Sequence, residues 1–286
     1  MQLKVFKTTW GFPNWGNEES LDLALGQCVA AGFHGLETPV PETSEARRLL
    51  RQKLDARGLD FIGEVCTAGS YVPRRDASLE EHLQSFQMHV ENAGEIAPLF
   101  VSSMAGCDAW TVAQSVEFFG KAHEIAQSCG VMVSFETHRG RSFFNPWTTR
   151  DILLQLPELR ITCDFSHWCV VCERLIDSEP DVLELCFKRA KHIHARVGFS
   201  QGAQVCDPRA PEFKAELEAH ERWWTSIWDA LQARGKDVAT MTPEFGPDGY
   251  MPRLPYTLMP LGDLESINVW MGQRQQSRFQ NRMSQL

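Results

Sequence analysis

Eight short runs rich in β-branched and aromatic residues recur along the chain, and each is separated from the next by a stretch of helical character. The runs are 3–10, 34–38, 60–66, 99–106, 131–138, 160–167, 192–198 and 238–246. Between them lie segments such as LDLALGQCVAAG, ARRLLRQKLDARG and TVAQSVEFFGKAHEIAQSCG, each closed by the Gly expected just past a helix end. Strand and helix in strict alternation imply parallel pairing, and eight repeats predict an α/β fold of the (β/α)8 TIM barrel type. A doubly wound sheet also alternates, but it usually carries a Gly-rich phosphate turn after strand one. Here that turn reads GFPNWGNEE, without GxGxxG. No linker or low-complexity stretch divides the chain. Residues 1–286 are therefore read as one domain, with the barrel over about 3–265 and a C-terminal helix or tail over 266–286. Arg274, Arg278 and Arg282 fall on one face of that tail, which predicts a solvated terminal helix. The long irregular piece GFSQGAQVCDPRAPE (198–212) follows strand seven and is expected over the barrel mouth.

In such a barrel the chemistry sits at the C-terminal ends of the strands, so the polar residues that close them are the informative ones. Strand five ends in Glu136, strand six in Asp164, strand seven carries His192 and His194, and strand eight ends in Glu244. Glu136, Asp164, His194 and Glu244 thus come from four successive strands and are expected to converge. Three carboxylates and one imidazole suit Mn²⁺, Mg²⁺ or Co²⁺ better than a closed thiolate zinc site. Glu37 and Glu64 end strands two and three and face the same mouth. His138, Arg139 and Arg141 lie just past a ligand strand, where their donors suit hydroxyls or a carboxylate. Trp10 and Trp15, after strand one, offer apolar walls for a sugar ring. Trp223 and Trp224 share helical spacing with Leu217 and Ile227, which predicts core packing or an oligomer contact.

The stretch CDFSHWCVVC (163–172) holds three thiols and invites a redox or zinc reading. Neither a second CxxC nor an HxxxH partner accompanies it, so its cysteines are read as packing. Nine cysteines without dense, regular spacing argue against a disulfide framework. A formal charge of −9 argues against a nucleic-acid surface. No apolar run approaches a membrane span, and MQLKVFKTTW lacks the apolar stretch of a signal peptide. The expected setting is cytoplasmic and the expected partner a small molecule, with a homo-oligomer left open.

SFETHRGR, ITCDFSHW, HIHARVG and TPEFGP resemble segments of the xylose isomerase-like TIM-barrel superfamily, also described as sugar phosphate isomerases/epimerases or the AP endonuclease family 2 fold. The likeness implies one divalent ion, Mn²⁺ before Mg²⁺, Co²⁺ or Zn²⁺, held by Glu136, Asp164, His194 and Glu244. It also implies that Glu136 and Glu244 double as the acid/base pair, and that His167 of the DxxH pair contacts substrate. Arg196 lies two residues beyond His194, whereas ketose 3-epimerases of this superfamily carry a substrate-contacting Arg several residues beyond. The expected function is a metal-dependent isomerase or epimerase of a keto-sugar or related polyol, working through an enediolate. His167, Arg196, His138, Glu64 and Trp10 are the expected substrate contacts. Two alternatives share the fold: an inosose dehydratase-like lyase, in which His138 or His167 protonates a leaving hydroxyl, and a carbohydrate-binding barrel without catalysis.

Overall fold

The computed structural model describes residues 1–12, 17–247 and 249–284; Trp15 lies outside them. Eight parallel strands close into a barrel in sequence order: β1 Gln2–Thr8, β2 Gly35–Pro39, β3 Asp60–Cys66, β4 Val101–Met104, β5 Val133–Glu136, β6 Ile161–Cys163, β7 Ala190–His194 and β8 Val238–Thr242. The crossovers are α1 Glu18–Ala30, α2 Ser44–Asp55, α3 Leu79–Gly94, α4 Val112–Ser128, α5 Pro146–Gln155, then α6 Ser166–Val171 with α7 Pro180–Arg189, and finally α8 Lys214–Ala233. Helix α9, Leu264–Met283, follows β8. Side-chain oxygens satisfy the first backbone N–H groups of several helices, with full capping boxes at Ser78/Glu81 and Thr111/Gln114. Gly32 and Gly130 stop α1 and α4 at φ +69° and +66°, a region that costs an L side chain strain.

Strand periodicity divides the core in two. Phe135, Cys163, Ile193 and Met241 point outward and pack under the helices in one continuous apolar cluster. Inside the barrel Phe6, Ile62 and Phe100 form a separate apolar plug. Ascending two residues at a time, Ser134 is followed by Glu136, Thr162 by Asp164, His192 by His194 and Thr242 by Glu244. A level of hydroxyls and one imidazole therefore underlies a level of ionisable groups. The hydroxyls are paired across the barrel, with Thr162 Oγ1 2.9 Å from Ser134 Oγ and 3.0 Å from Ser102 Oγ.

The eight strands stand where the periodicity puts them, but most end earlier. The run 160–167 is strand only to Cys163, and His167 sits on the short helix α6. The run 238–246 leaves the sheet ladder after Thr242. Beyond it Phe245 exchanges two hydrogen bonds with the Asn268 amide of α9, and Gly246 exchanges two with the Gln204 amide. The 198–212 loop thus buttresses the end of β8 through Gln204, and none of its residues lines the cavity described below.

Helix α9 is docked rather than solvated. Ile267, Met271 and Phe279 are buried, and Gly272 lies so close to Phe33 that a Cβ there would stand 2.4 Å from its ring. The arginine face covers α8: Arg274 donates bidentately to the buried Glu221, Arg278 pairs with the same carboxylate, and Arg282 meets Asp229. Periodicity places the face correctly; acidic residues on the neighbouring helix, distant in sequence, decide what it meets. Trp223 and Trp224 are core residues. The nine cysteines are free, and burial pushes the thiols of Cys163, Cys169 and Cys186 far above their ordinary value, so the cysteine-rich stretch is packing. No helix among the described residues is long and apolar enough to cross a membrane.

Candidate metal centre and its cavity

Glu136, Asp164, His194 and Glu244 meet at the barrel mouth, with one ligand atom from each all within 4.8 Å of one another. All four are buried. His194 Nδ1 stands 3.1 Å from Glu244 Oε2 and 3.5 Å from Glu136 Oε1, yet has no hydrogen-bond partner. Its other nitrogen, Nε2, lies 3.0 Å from Glu37 Oε1. A carboxylate can only accept, so Nε2 donates to Glu37, and Nδ1 faces two further carboxylates. That arrangement favours positive charge at Nδ1. Burial alone would lower the basicity of His194, but Glu244, Glu37 and Glu136 outweigh it and raise the imidazole well above its ordinary value. An imidazole nitrogen among three carboxylates, on a ring whose other nitrogen is held by a carboxylate behind it, fits a divalent cation, which would take the place of the proton at Nδ1.

Each member is held by its neighbours. Thr137, next after β5, accepts from Asp164 N at 2.8 Å and donates to Asp164 O at 2.9 Å, which ties the tops of β5 and β6 together. Asp164 Oδ1 accepts from Ser166 N and Oγ at 3.1 and 2.5 Å. Arg196 shares the inward face of His194, two residues on, and its guanidinium pairs with Asp164 Oδ2, donates to His167 Nε2 at 2.7 Å and approaches Glu244 Oε2 at 3.5 Å. Burial opposes the charge of Arg196, but Asp164 and Glu244 outweigh it and hold the group firmly protonated. Burial pushes the Glu136 carboxyl up to about 7. Burial acts the same way on Glu244, where His194 and Arg196 overcome it and bring the group below its ordinary range.

Above this set lies a cavity of about 280 Å³. Glu136, Glu244, Arg196, His138, Glu64 and Trp10 line it, while Asp164, His194 and His167 lie behind them in its floor. Glu64 Oε1 has no hydrogen-bond partner, and burial, with Glu37 and Glu244 nearby, pushes this carboxyl well above its ordinary value. His138 Nδ1 is 2.5 Å from the Arg139 carbonyl, so that nitrogen carries the proton. Burial keeps His138 and His167 neutral, each well below its ordinary value. His167 Nε2 accepts from Arg196 and therefore has no proton to give from that side.

Two residues, Arg141 and Glu37, depart from the sequence expectation. Arg141 faces no substrate: it is buried and donates to the carbonyls of Thr67, Ser70 and Gly106, bracing the loops after β3 and β4. Arg139 lies over the Tyr250 ring at 4.7 Å. Glu37 is no rim residue but sits wholly buried between His192 Nε2 and His194 Nε2, 3.0 Å from each. Its burial would raise the carboxyl, yet the two imidazoles outweigh that and hold it well below the usual range. The His-x-His spacing on β7 was the available signal, because both rings must share one face. Tyr250, Phe12, Tyr71 and Met104, which complete the cavity wall, reach it from loops and a strand end that carry no motif.

No curated protein is detectably similar in sequence. Among solved structures, an L-ribulose 3-epimerase superposes with TM-score 0.63 at 15% identity, over 99% of this chain and 98% of that one. The IOLI protein with a bound zinc atom gives 0.62 at 15% identity, over 96% of each chain. Endonuclease IV from Thermus thermophilus gives 0.60 at 13%, over 96% of this chain and 98% of that one. At these identities the likeness establishes the fold alone. The profile of the family described as xylose isomerase-like TIM barrel matches residues 25–245, and the chain, with its closed eight-stranded barrel, belongs to that family.

Proposed function

We propose that the chain is a divalent-metal-dependent isomerase or epimerase of a keto-sugar or related polyol, with Mn²⁺ as the favoured ion. The observation that carries this reading is the convergence of Glu136, Asp164, His194 and Glu244 directly beneath a closed-floored cavity. The names of the L-ribulose 3-epimerase and a D-tagatose 3-epimerase-like protein among the similar folds agree with it. A divalent ion bound there supplies Lewis-acid polarisation of a carbonyl, which makes the neighbouring C–H acidic enough to ionise near neutral pH.

The chain's own residues then move the proton. Glu136 and Glu244 flank His194 from different strands and both line the cavity, so a sugar lying between them presents one face to each. One carboxylate removes the proton. The other returns it to the opposite face of the same carbon for epimerisation, or to the adjacent carbon for isomerisation. Arg196 and His167 hold the floor rigid, His138 offers an acceptor nitrogen, Glu64 a free carboxyl oxygen and Trp10 an apolar wall. A lyase outcome has one observation in its favour: Glu64 is outside the ligand set and lines the cavity, and burial raises its carboxyl well above the ordinary range, which suits a donor to a leaving hydroxyl. The nine unpaired thiols suit a reducing, cytoplasmic setting.

The test is deuterium uptake from D₂O into keto-sugars, keto-inositols and hydroxypyruvate by protein reconstituted with Mn²⁺. Exchange without loss of water is expected, and Glu136→Gln and Glu244→Gln should each lower its rate by roughly 10²–10⁴-fold. Full activity in either variant would remove the acid/base assignment. An unsaturated product that vanishes in Glu64→Gln, with exchange retained, would convert the reading to a lyase.

A further inference from the structure

The cavity has two unlike ends. Its floor is ionic, whereas its walls are Trp10, Phe12, Pro39, Met104 and Tyr250, with Tyr71 at the rim. These walls are built, not incidental. Trp10 packs so tightly on Gly246 that a Cβ there would stand 2.0 Å from Cε3, and its ring meets Tyr250 edge-on at 4.9 Å. Tyr250 is itself buried, with the Arg196 guanidinium 4.8 Å from its ring centre. The aromatic surfaces are thus fixed before any ligand arrives.

Two consequences follow for the molecule that enters. Among the described residues that line the cavity, Arg196 is the one cation, and its N–H groups already serve Ser166, Asp164, His167 and Glu244. A phosphate or carboxylate on the substrate would meet Glu64, Glu136 and Glu244 without a guanidinium to spare. Thr9, Ser70, Glu64 and His138 supply partners for the hydroxyls of a sugar, but a free sugar leaves much of the aromatic wall uncovered. One aromatic face is enough to stack on the C–H face of a sugar ring, and here several enclose a volume.

We infer that the substrate is a neutral keto-sugar carrying an apolar aglycone, with its keto end on the carboxylate floor and the aglycone held by Trp10, Tyr250, Phe12 and Met104. The inference rests on the proposed reaction for which end is the reacting one, but the wall makes its own prediction. Binding of phenyl β-D-glucopyranoside, methyl β-D-glucopyranoside and glucose 6-phosphate to the Mg²⁺-loaded protein is measured by calorimetry and saturation-transfer NMR. The phenyl glycoside should bind at least about tenfold more tightly than the methyl glycoside, with the strongest saturation on its aromatic protons, and glucose 6-phosphate should bind weakest. Trp10→Ala should bring the phenyl-to-methyl ratio to about one, and Trp10→Phe should keep most of it. Equal affinity for the two glycosides, or tightest binding of the phosphate, overturns the inference. Aglycone selectivity with no deuterium exchange on any keto form would instead overturn the proposed reaction alone. Exchange on free keto-sugars without an aglycone advantage would overturn only the inference.

Discussion

Glu37 shows how much of the site depends on a residue that touches neither the cavity nor the reacting atoms. It is fully buried, 3.0 Å from both His192 and His194, and it holds a proton on Nε2 of His194. Glu37→Gln can accept from one imidazole but must present its NH₂ to the other. The expected outcome is Mn²⁺ affinity about 10–100-fold weaker by calorimetry, with the ¹⁵N shift of His194 Nε2 in the metal-free protein departing from its wild-type value. Unchanged affinity together with an unchanged ¹⁵N shift would show that Glu37 is not what orients the ring. At this scale the sequence was legible where one strand end supplies one member of the converging set, as at Glu136, Asp164, His194 and Glu244. It was not legible where the partner comes from across the barrel, because no local pattern couples residue 37 to residue 194.

At the scale of elements, the position of Glu244 is set from outside its own strand. β8 ends at Thr242, and the next residues are held by two side-chain amides, Asn268 of α9 on Phe245 and Gln204 of the 198–212 loop on Gly246. Each amide reproduces the donor and acceptor that a neighbouring strand would have offered. Asn268→Ala leaves a buried N–H and a buried C=O of Phe245 without partners, a loss of about 1–3 kcal/mol for each group. Thermal or urea unfolding should therefore register a clear destabilisation. Mn²⁺ binding should weaken as well, whereas an exposed substitution elsewhere on α9, such as Gln273→Ala, should move neither. Wild-type stability in Asn268→Ala would show that the amide is dispensable. Alternation and helix-closing glycines made the eight strands and the principal crossovers readable. The end of β8 and the docking of α9 were not, because their partners are single amides and carboxylates on elements far along the chain.

At the scale of the molecule, several imidazoles are kept neutral by the fold, and stability must follow pH accordingly. His220 is the clearest case away from the metal centre. It is buried, its Nδ1 donates to the Glu216 carbonyl at 2.8 Å, and its Nε2 accepts from Gly198 N at 3.2 Å. Burial lowers it to about 4, whereas an unfolded chain binds the proton near pH 6.5. Between those values the unfolded state holds more protons, so stability rises with pH through this window and is lost as pH falls from about 6.5 toward 4. The full loss from this one group is on the order of 3 kcal/mol. His82, also lowered to about 4, adds to it in the same direction. His220→Gln, whatever its effect at pH 8, should flatten the fall in melting temperature between pH 6.5 and 4. A slope identical to wild type would remove His220 from the account.

The two amides that grip the end of β8 also bear on the order in which the molecule is completed. Asn268 lies after all eight strands, so a growing chain can lay down every strand and still lack the clasp on Phe245. The barrel can close before Glu244 is fixed in place. Completion of the proposed metal site is then a late event in maturation, and the C-terminal helix is the piece that completes it.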